Sequence, residues 1–180
     1  MQTNEDHAVE IAPRDYSYVF NPYRESVGTV MPGERVIIHP DDAFESRITR
    51  KEDLPGRALA TAKFLNPQTG PIYVQGAEPG DTLAVRIESI EPTRDFAVSV
   101  LIPYFGGLTS TNFTRTLQEP LPGRVWIWDL VDGGTNLVNE ELGVKLPWEP
   151  FLGTLAVAPD LEAITALAPA PSGATWTYLT

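Results

Sequence analysis

The chain contains no cysteine among its 180 residues and only two histidines, His7 and His39. The first absence excludes a disulfide framework, a thiolate nucleophile and a thiolate metal site. The second leaves any Ser-His-Asp triad resting on His39, because His7 lies in a polar N-terminal stretch, and it leaves a zinc site built from several imidazoles unfilled. Basic residues are scarce as well. Against 24 Asp and Glu stand 13 Lys and Arg, a formal net charge of -11, which disfavours nucleic acid and anionic membranes and suits a neutral or cationic small ligand. No apolar run approaches the ~20 residues of a membrane span, and residues 1–10 are polar and acidic without an apolar core. A cytoplasmic protein with no membrane partner is the expectation.

What is present is globular in kind. Hydrophobic residues make up 42% and charged residues 21%, enough for one ordinary domain with a core or for two small, closely packed lobes. The 17 prolines and 14 glycines punctuate about nine short strands, which predicts a mainly β fold, an antiparallel β-sandwich or barrel with one or two short helices. Residues 1–14 read as a flexible tail and 15–180 as the β domain, with sub-lobes 15–90 and 91–180. Strands are expected over 16–20, 26–30 and 35–39, the last two folded into a hairpin by Pro32-Gly33, and a helix over 57–65 after Pro55-Gly56.

The cleanest alternation lies in residues 82–90, where Leu83, Val85 and Ile87 take one face and Arg86 and Glu88 the other. This segment reads as a strand in a hairpin with 96–102. Residues 124–130 read as another, with Trp126 and Trp128 on one face as packing residues. Asp132-Gly133-Gly134 turns the chain and 137–146 pairs back. Residues 104–123 lack periodicity, and so long an irregular segment is more often functional than idle. Residues 152–158 are apolar throughout and suit a strand buried on both faces. No internal repeat is visible.

Two stretches carry candidate chemistry. In His39-Pro40-Asp41-Asp42-Ala43-Phe44 an imidazole and two carboxylates fall at a strand-to-loop junction, where they can converge to bind a cation or orient water. The bland alternative is a solvated Asp-Asp turn beside a partly buried histidine. In Asn66-Pro67-Gln68-Thr69-Gly70-Pro71-Ile72-Tyr73-Val74-Gln75-Gly76-Ala77-Glu78-Pro79-Gly80-Asp81, two turns bracket a short strand, with proline and glycine at the central positions of a type II turn. There Glu78 is either the first residue of a turn or the second carboxylate of a site, and Asp81 belongs to the turn. Phe44 and Tyr73 can wall a small substrate pocket, although strand aromatics are more often core.

The second stretch resembles a signature of the acetamidase/formamidase family, enzymes that hydrolyse short amides to ammonia and a carboxylate. The likeness extends to Tyr18-Val19-Phe20-Asn21-Pro22-Tyr23, Pro32-Gly33-Glu34, Asp42-Ala43-Phe44 and Pro150-Phe151-Leu152-Gly153-Thr154-Leu155-Ala156-Val157-Ala158-Pro159, hence over most of the chain. It implies a mostly β architecture with a sandwich-like lobe and a small barrel. It also implies that Asp42 is the recurrent acidic residue before Ala-Phe, and that His39 stands where many relatives carry glutamate or histidine. Where relatives often have Gly-Gly-Gln or Gly-Gly-Arg after the Phe, this chain has Glu45-Ser46-Arg47.

With the resemblance in place, Asp42 and Glu78 are the expected catalytic pair, His39 and Asp42 the expected ligands of a divalent metal, and Phe44 and Tyr73 the expected substrate contacts. Hard oxygen ligands suit calcium or magnesium, and an added imidazole suits zinc. Family members are usually much longer and continue with His-Gly-Gly-Asn-like and Gly-Asp-Gly-Glu-like motifs that this sequence lacks. The favoured expectation is therefore the N-terminal subunit of a split amidase, a hetero- or homo-oligomer that meets its small amide substrate together with a second polypeptide carrying the missing half. The alternatives are a non-catalytic β-sandwich module that binds a small ligand or regulates a homologue, and a purely structural domain.

Overall fold

The computed structural model describes residues 8–12, 15–58, 65–105, 121–160 and 164–165. Their elements run β1 (Val9–Ile11), β2 (Val19–Phe20), β3 (Gly28–Val30), β4 (Val36–Ile38), α1 (Pro55–Ala58), β5 (Ile72–Val74), β6 (Phe96–Leu101), β7 (Arg124–Val131), β8 (Asn136–Asn139), β9 (Val144–Pro147) and β10 (Ile164–Thr165). The mainly β expectation holds, with almost no helix. Of the helix expected over 57–65 only the start is described, in α1, and residues 59–64 lie outside the described residues, as do 106–120 of the irregular stretch.

The chain divides into two compact units. The first comprises Met1–Glu45, Phe64–Glu88 and Leu152–Thr180, the second Ser46–Lys63 and Ser89–Phe151. In the first unit the strands pair in twos: β1 with β4 in parallel, β3 with β5 in parallel, and β2 with β10 antiparallel. The hairpin expected between 26–30 and 35–39 does not form, although both segments are strands. Pro32-Gly33 turns the chain, with Gly33 at φ 85°, but β3 and β4 each take a parallel neighbour from elsewhere in the sequence. Part of the expected tail is likewise structured. β1 is a strand whose Ile11 is buried at 4% exposure, and an added Cβ on Gly28 would come within 2.9 Å of the Ile11 side chain. Glycine at that point of β3 lets Ile11 pack directly onto the strand.

In the second unit β6, β7, β8 and β9 form a four-stranded antiparallel sheet in sequential order. The β7–β8 turn matches its sequence: Asp132, Gly133 and Gly134 all have positive φ, and the Asp132 carboxylate accepts from Asn136 at 3.0 Å and Lys145 at 2.6 Å. Trp126 and Trp128 share one face as expected. The Trp128 indole N–H donates to Ser99 Oγ at 3.0 Å, and the Arg124 guanidinium lies 5.0 Å from the Trp126 ring, a cation–π contact.

The link from β8 to β9 depends on one buried amide. Asn139 is 2% exposed; its Nδ2 donates to the Ile127 carbonyl at 2.8 Å and its Oδ1 accepts from the Leu142 N–H at 2.9 Å. Asn139→Ala would leave a strand carbonyl and a turn N–H unpartnered, so a loss of about 2–4 kcal/mol in chemical unfolding is expected. A loss below ~0.5 kcal/mol would mean that water replaces the amide fully.

Two expected strands are absent. Residues 82–90 pair with no strand among the described residues, and β6 takes β7 as its partner instead. Residues 152–158 also form no strand, and Val157 is 64% exposed. In both cases the apolar pattern is real, but a strand exists only where a neighbour accepts its backbone groups.

Candidate active site

The loop after β4 is built from local carboxylate geometry. Asp42 Oδ1 accepts the Phe44 N–H at 2.7 Å while its carbonyl accepts the Glu45 N–H at 3.1 Å, the way an aspartate fixes a turn onto its own backbone. Asp41 Oδ1 accepts the Asp42 N–H at 2.8 Å, and Asp41 Oδ2 accepts the Tyr16 hydroxyl at 3.2 Å. The Tyr18 hydroxyl donates to the Glu45 carboxylate. Glu45 and Ser46 both lie in the left-handed region, at φ 54° and 55°.

The signature stretch stands beside this loop. Asn66, itself left-handed at φ 60°, donates its N–H to the Ala43 carbonyl at 3.1 Å. Gln68 and Ser17 exchange backbone hydrogen bonds at 2.7 and 3.2 Å, and Thr69 Oγ1 donates to the His39 carbonyl at 3.1 Å. The stretch thus holds the loop at both ends, from Ala43 and from His39.

These bonds gather Asp41, Asp42 and Glu45 around a pair of tyrosines. Burial first, then the negative charge of Asp41, the hydrogen bond to it, and the charges of Glu45 and Asp42 push the Tyr16 hydroxyl above the ordinary tyrosine range. The two tyrosines were not singled out by the sequence, yet a signal was there: in Tyr16-Ser17-Tyr18 an alternating segment sends both rings to one side while Ser17, 5% exposed, goes to the other. A raised folded value stabilises fully below the pKa of an unfolded tyrosine and is lost as pH rises through the folded one. Ultraviolet titration should therefore show a late-ionising phenol component, and Tyr16→Phe should diminish it. An unchanged titration would place the slow phenol elsewhere.

The remaining expected site residues have surroundings of their own. His39 Nε2 lies 2.8 Å from Glu10 Oε1 on an exposed edge, so its ring is engaged by β1. Glu78 is exposed and opens the turn of residues 78–81. The Asp81 carboxylate accepts the Glu78 N–H at 2.9 Å and the Asp81 N–H bonds the Glu78 carbonyl at 3.0 Å, with Gly80 at φ 98°. This turn uses the Glu78 main chain and leaves its carboxylate out. Phe44 is half-buried within the loop. Tyr73, on β5 opposite Thr29, is 52% exposed. Among the described residues no three His, Asp or Glu side chains form a ligand set for one metal ion.

A family model described as Acetamidase/Formamidase family matches residues 8–169. The chain belongs to the acetamidase/formamidase family. Solved structures agree: it superposes on the crystal structure of an acetamidase from Yersinia enterocolitica with a TM-score of 0.78 at 38% identity, covering 90% of this chain and 50% of that one. A predicted acetamidase/formamidase from Thermoanaerobacter tengcongensis gives a TM-score of 0.69 at 27% identity, covering 90% and 49%. An acetamidase from Bacillus halodurans shares the fold at 22% identity, with a TM-score of 0.65 over 87% and 48%. A comparison with curated proteins returns no match. The chain spans about half the length of the acetamidases it resembles. No helix among the described residues is long and apolar enough to cross a membrane.

Proposed function

We propose that this chain is one half of an amide hydrolase, active when joined to the half of the acetamidase fold that it does not span. Family membership and a 38% identical acetamidase support the reaction class. This chain covers 50% of that enzyme, so the activity is proposed for the two halves of the fold together.

In this reading the loop at Asp42 and the turn at Glu78 face one substrate amide. Water adds to the carbonyl carbon as a carboxylate takes its proton, the C–N bond breaks, and the nitrogen leaves as ammonia once it has been protonated. Asp42 is the proton acceptor we favour, with Glu78 as the second carboxylate and Phe44 and Tyr73 as apolar walls. The group that polarises the carbonyl is assigned to the other half. A divalent ion, zinc or calcium, belongs to the proposal only if that half adds ligands to His39 and Asp42.

The test is an ammonia-release assay with formamide and acetamide. The full chain alone should be inactive, and activity should appear when the complementary half of the Yersinia enterocolitica acetamidase is supplied as a second polypeptide. A lone monomer that hydrolyses either amide would sink the divided-enzyme reading. A stable, inactive monomer that binds a small amide, unchanged by the second polypeptide, would favour a non-catalytic module.

A further inference from the structure

We infer that Tyr16 and Tyr18 are a pair of positioning residues whose hydroxyls, acting through Asp41 and Glu45, fix the orientation of the Asp42 carboxylate for the reaction proposed above. The inference rests on that reading for its chemistry and on the loop geometry for the holding itself.

The two phenols grip the Asp42 turn on either side of the residue it presents. The Tyr16 hydroxyl donates to Asp41 Oδ2 at 3.2 Å, and the other oxygen of the same carboxylate, Oδ1, accepts the Asp42 N–H at 2.8 Å. One aspartate thus passes the hold of the phenol to the Asp42 backbone. The Tyr18 hydroxyl donates to the Glu45 carboxylate, and Glu45 is the residue whose N–H closes the turn on the Asp42 carbonyl at 3.1 Å. Between these anchors Asp42 Oδ1 accepts the Phe44 N–H at 2.7 Å. The direction of that side chain therefore follows the turn backbone, and the backbone is held from Asp41 and from Glu45.

The two holders of the loop are fastened to each other. Ser17, between the tyrosines, is 5% exposed and exchanges backbone hydrogen bonds with Gln68 at 2.7 and 3.2 Å. Gln68 Nε2 donates to the Asn66 carbonyl at 3.0 Å, and the Asn66 N–H reaches the Ala43 carbonyl at 3.1 Å. The circuit returns to the loop it started from, and all of it lies within the first compact unit. Closing the turn needs only the bonds from Phe44 and Glu45 to Asp42; the phenols add a tie to a second, buried segment.

The donor type suits the task. A phenol is a neutral donor, so it holds a carboxylate without supplying the positive charge that would make a neighbouring carboxylate a weaker base. A lysine or arginine at either position would grip Asp41 or Glu45 as well, but at the expense of the proton affinity of Asp42.

The experiment takes Tyr16→Phe and Tyr18→Phe, which lose one hydroxyl each and keep the ring, and applies two readouts. In the full chain alone, the Phe44 amide, held by the Asp42 carboxylate, should exchange with solvent ~10-fold faster in either variant. The Gln75 amide, bonded to the Val30 carbonyl in the same unit, should exchange as in wild type. Asp41→Ala should loosen the Phe44 amide as Tyr16→Phe does, and the two together should do no more than one alone, because the phenol acts through that carboxylate. In the assembly with the complementary half of the Yersinia enterocolitica acetamidase, each tyrosine variant should lower kcat ~10-fold and leave KM within ~2-fold, the mark of a misplaced group and not of lost binding. Unchanged exchange at Phe44 in both variants overturns the proposal, and so does an equal acceleration at Gln75, which would mean a general loss of stability. A loosened Phe44 amide with wild-type kcat overturns it too, and leaves the amidase reading standing. A wild-type assembly without turnover removes the amidase reading instead, and exchange at Phe44 still decides whether the tyrosines hold Asp42.

Discussion

Asp42→Asn is expected to abolish ammonia release by the proposed assembly while leaving the fold of this chain in place. The structure makes the substitution a clean one. Asp42 Oδ1 accepts the Phe44 N–H and its carbonyl accepts the Glu45 N–H, and an asparagine offers the same acceptors at the same places. Both of these bonds survive the substitution, while a negative charge and a proton acceptor are lost. General-base catalysis is worth ~10²–10⁴ in rate, so turnover should fall at least that far, with an unfolding midpoint within a degree or two of wild type. Near-normal turnover on formamide or acetamide would remove Asp42 from the chemistry.

Glu78→Gln is expected to lower turnover by at least ~10²-fold, again as the scale of a lost general base. The turn of residues 78–81 makes this result interpretable. Its bonds run through the Glu78 main chain and the Asp81 carboxylate, so Glu78→Gln leaves the turn intact, whereas Asp81→Asn changes a group that holds it. If Glu78 acts in the reaction, Glu78→Gln lowers turnover and spares stability, and Asp81→Asn lowers stability first. Unimpaired turnover in the Glu78 variant would return that residue to the surface.

Much of this was legible in the chain because it is local. The Asp132-Gly133-Gly134 turn, the brief strand at β5 and the Pro-Gly turn after it are decided by residues within a few positions, and the Asp42 loop is closed by bonds to its own backbone. Pairing is not local. Pro32-Gly33 suggested a hairpin, but β3 found β5 and β4 found β1, each in parallel and far along the sequence, where turn chemistry carries no information. The tyrosines at 16 and 18 reach the loop for the same reason, through tertiary approach. Residues 82–90 and 152–158 show the reverse: their patterning is right for strands, but pattern states a preference and cannot supply the neighbour that satisfies it.

Glu45 and Ser46 fall where the chain leaves the first compact unit for the second, and both are left-handed without being glycine. Each such residue is strained by about 1 kcal/mol relative to glycine, which the Tyr18–Glu45 hydrogen bond helps offset. A Gly-Gly pair would relieve that strain but would also give the denatured chain many more backbone states to lose on folding. A loop end made from side-chain-bearing residues therefore has fewer backbone states than a diglycine. In mechanical terms the loop that carries Asp42 ends in a stiff elbow, and its position is conditioned by a tyrosine that comes from β2's end of the fold.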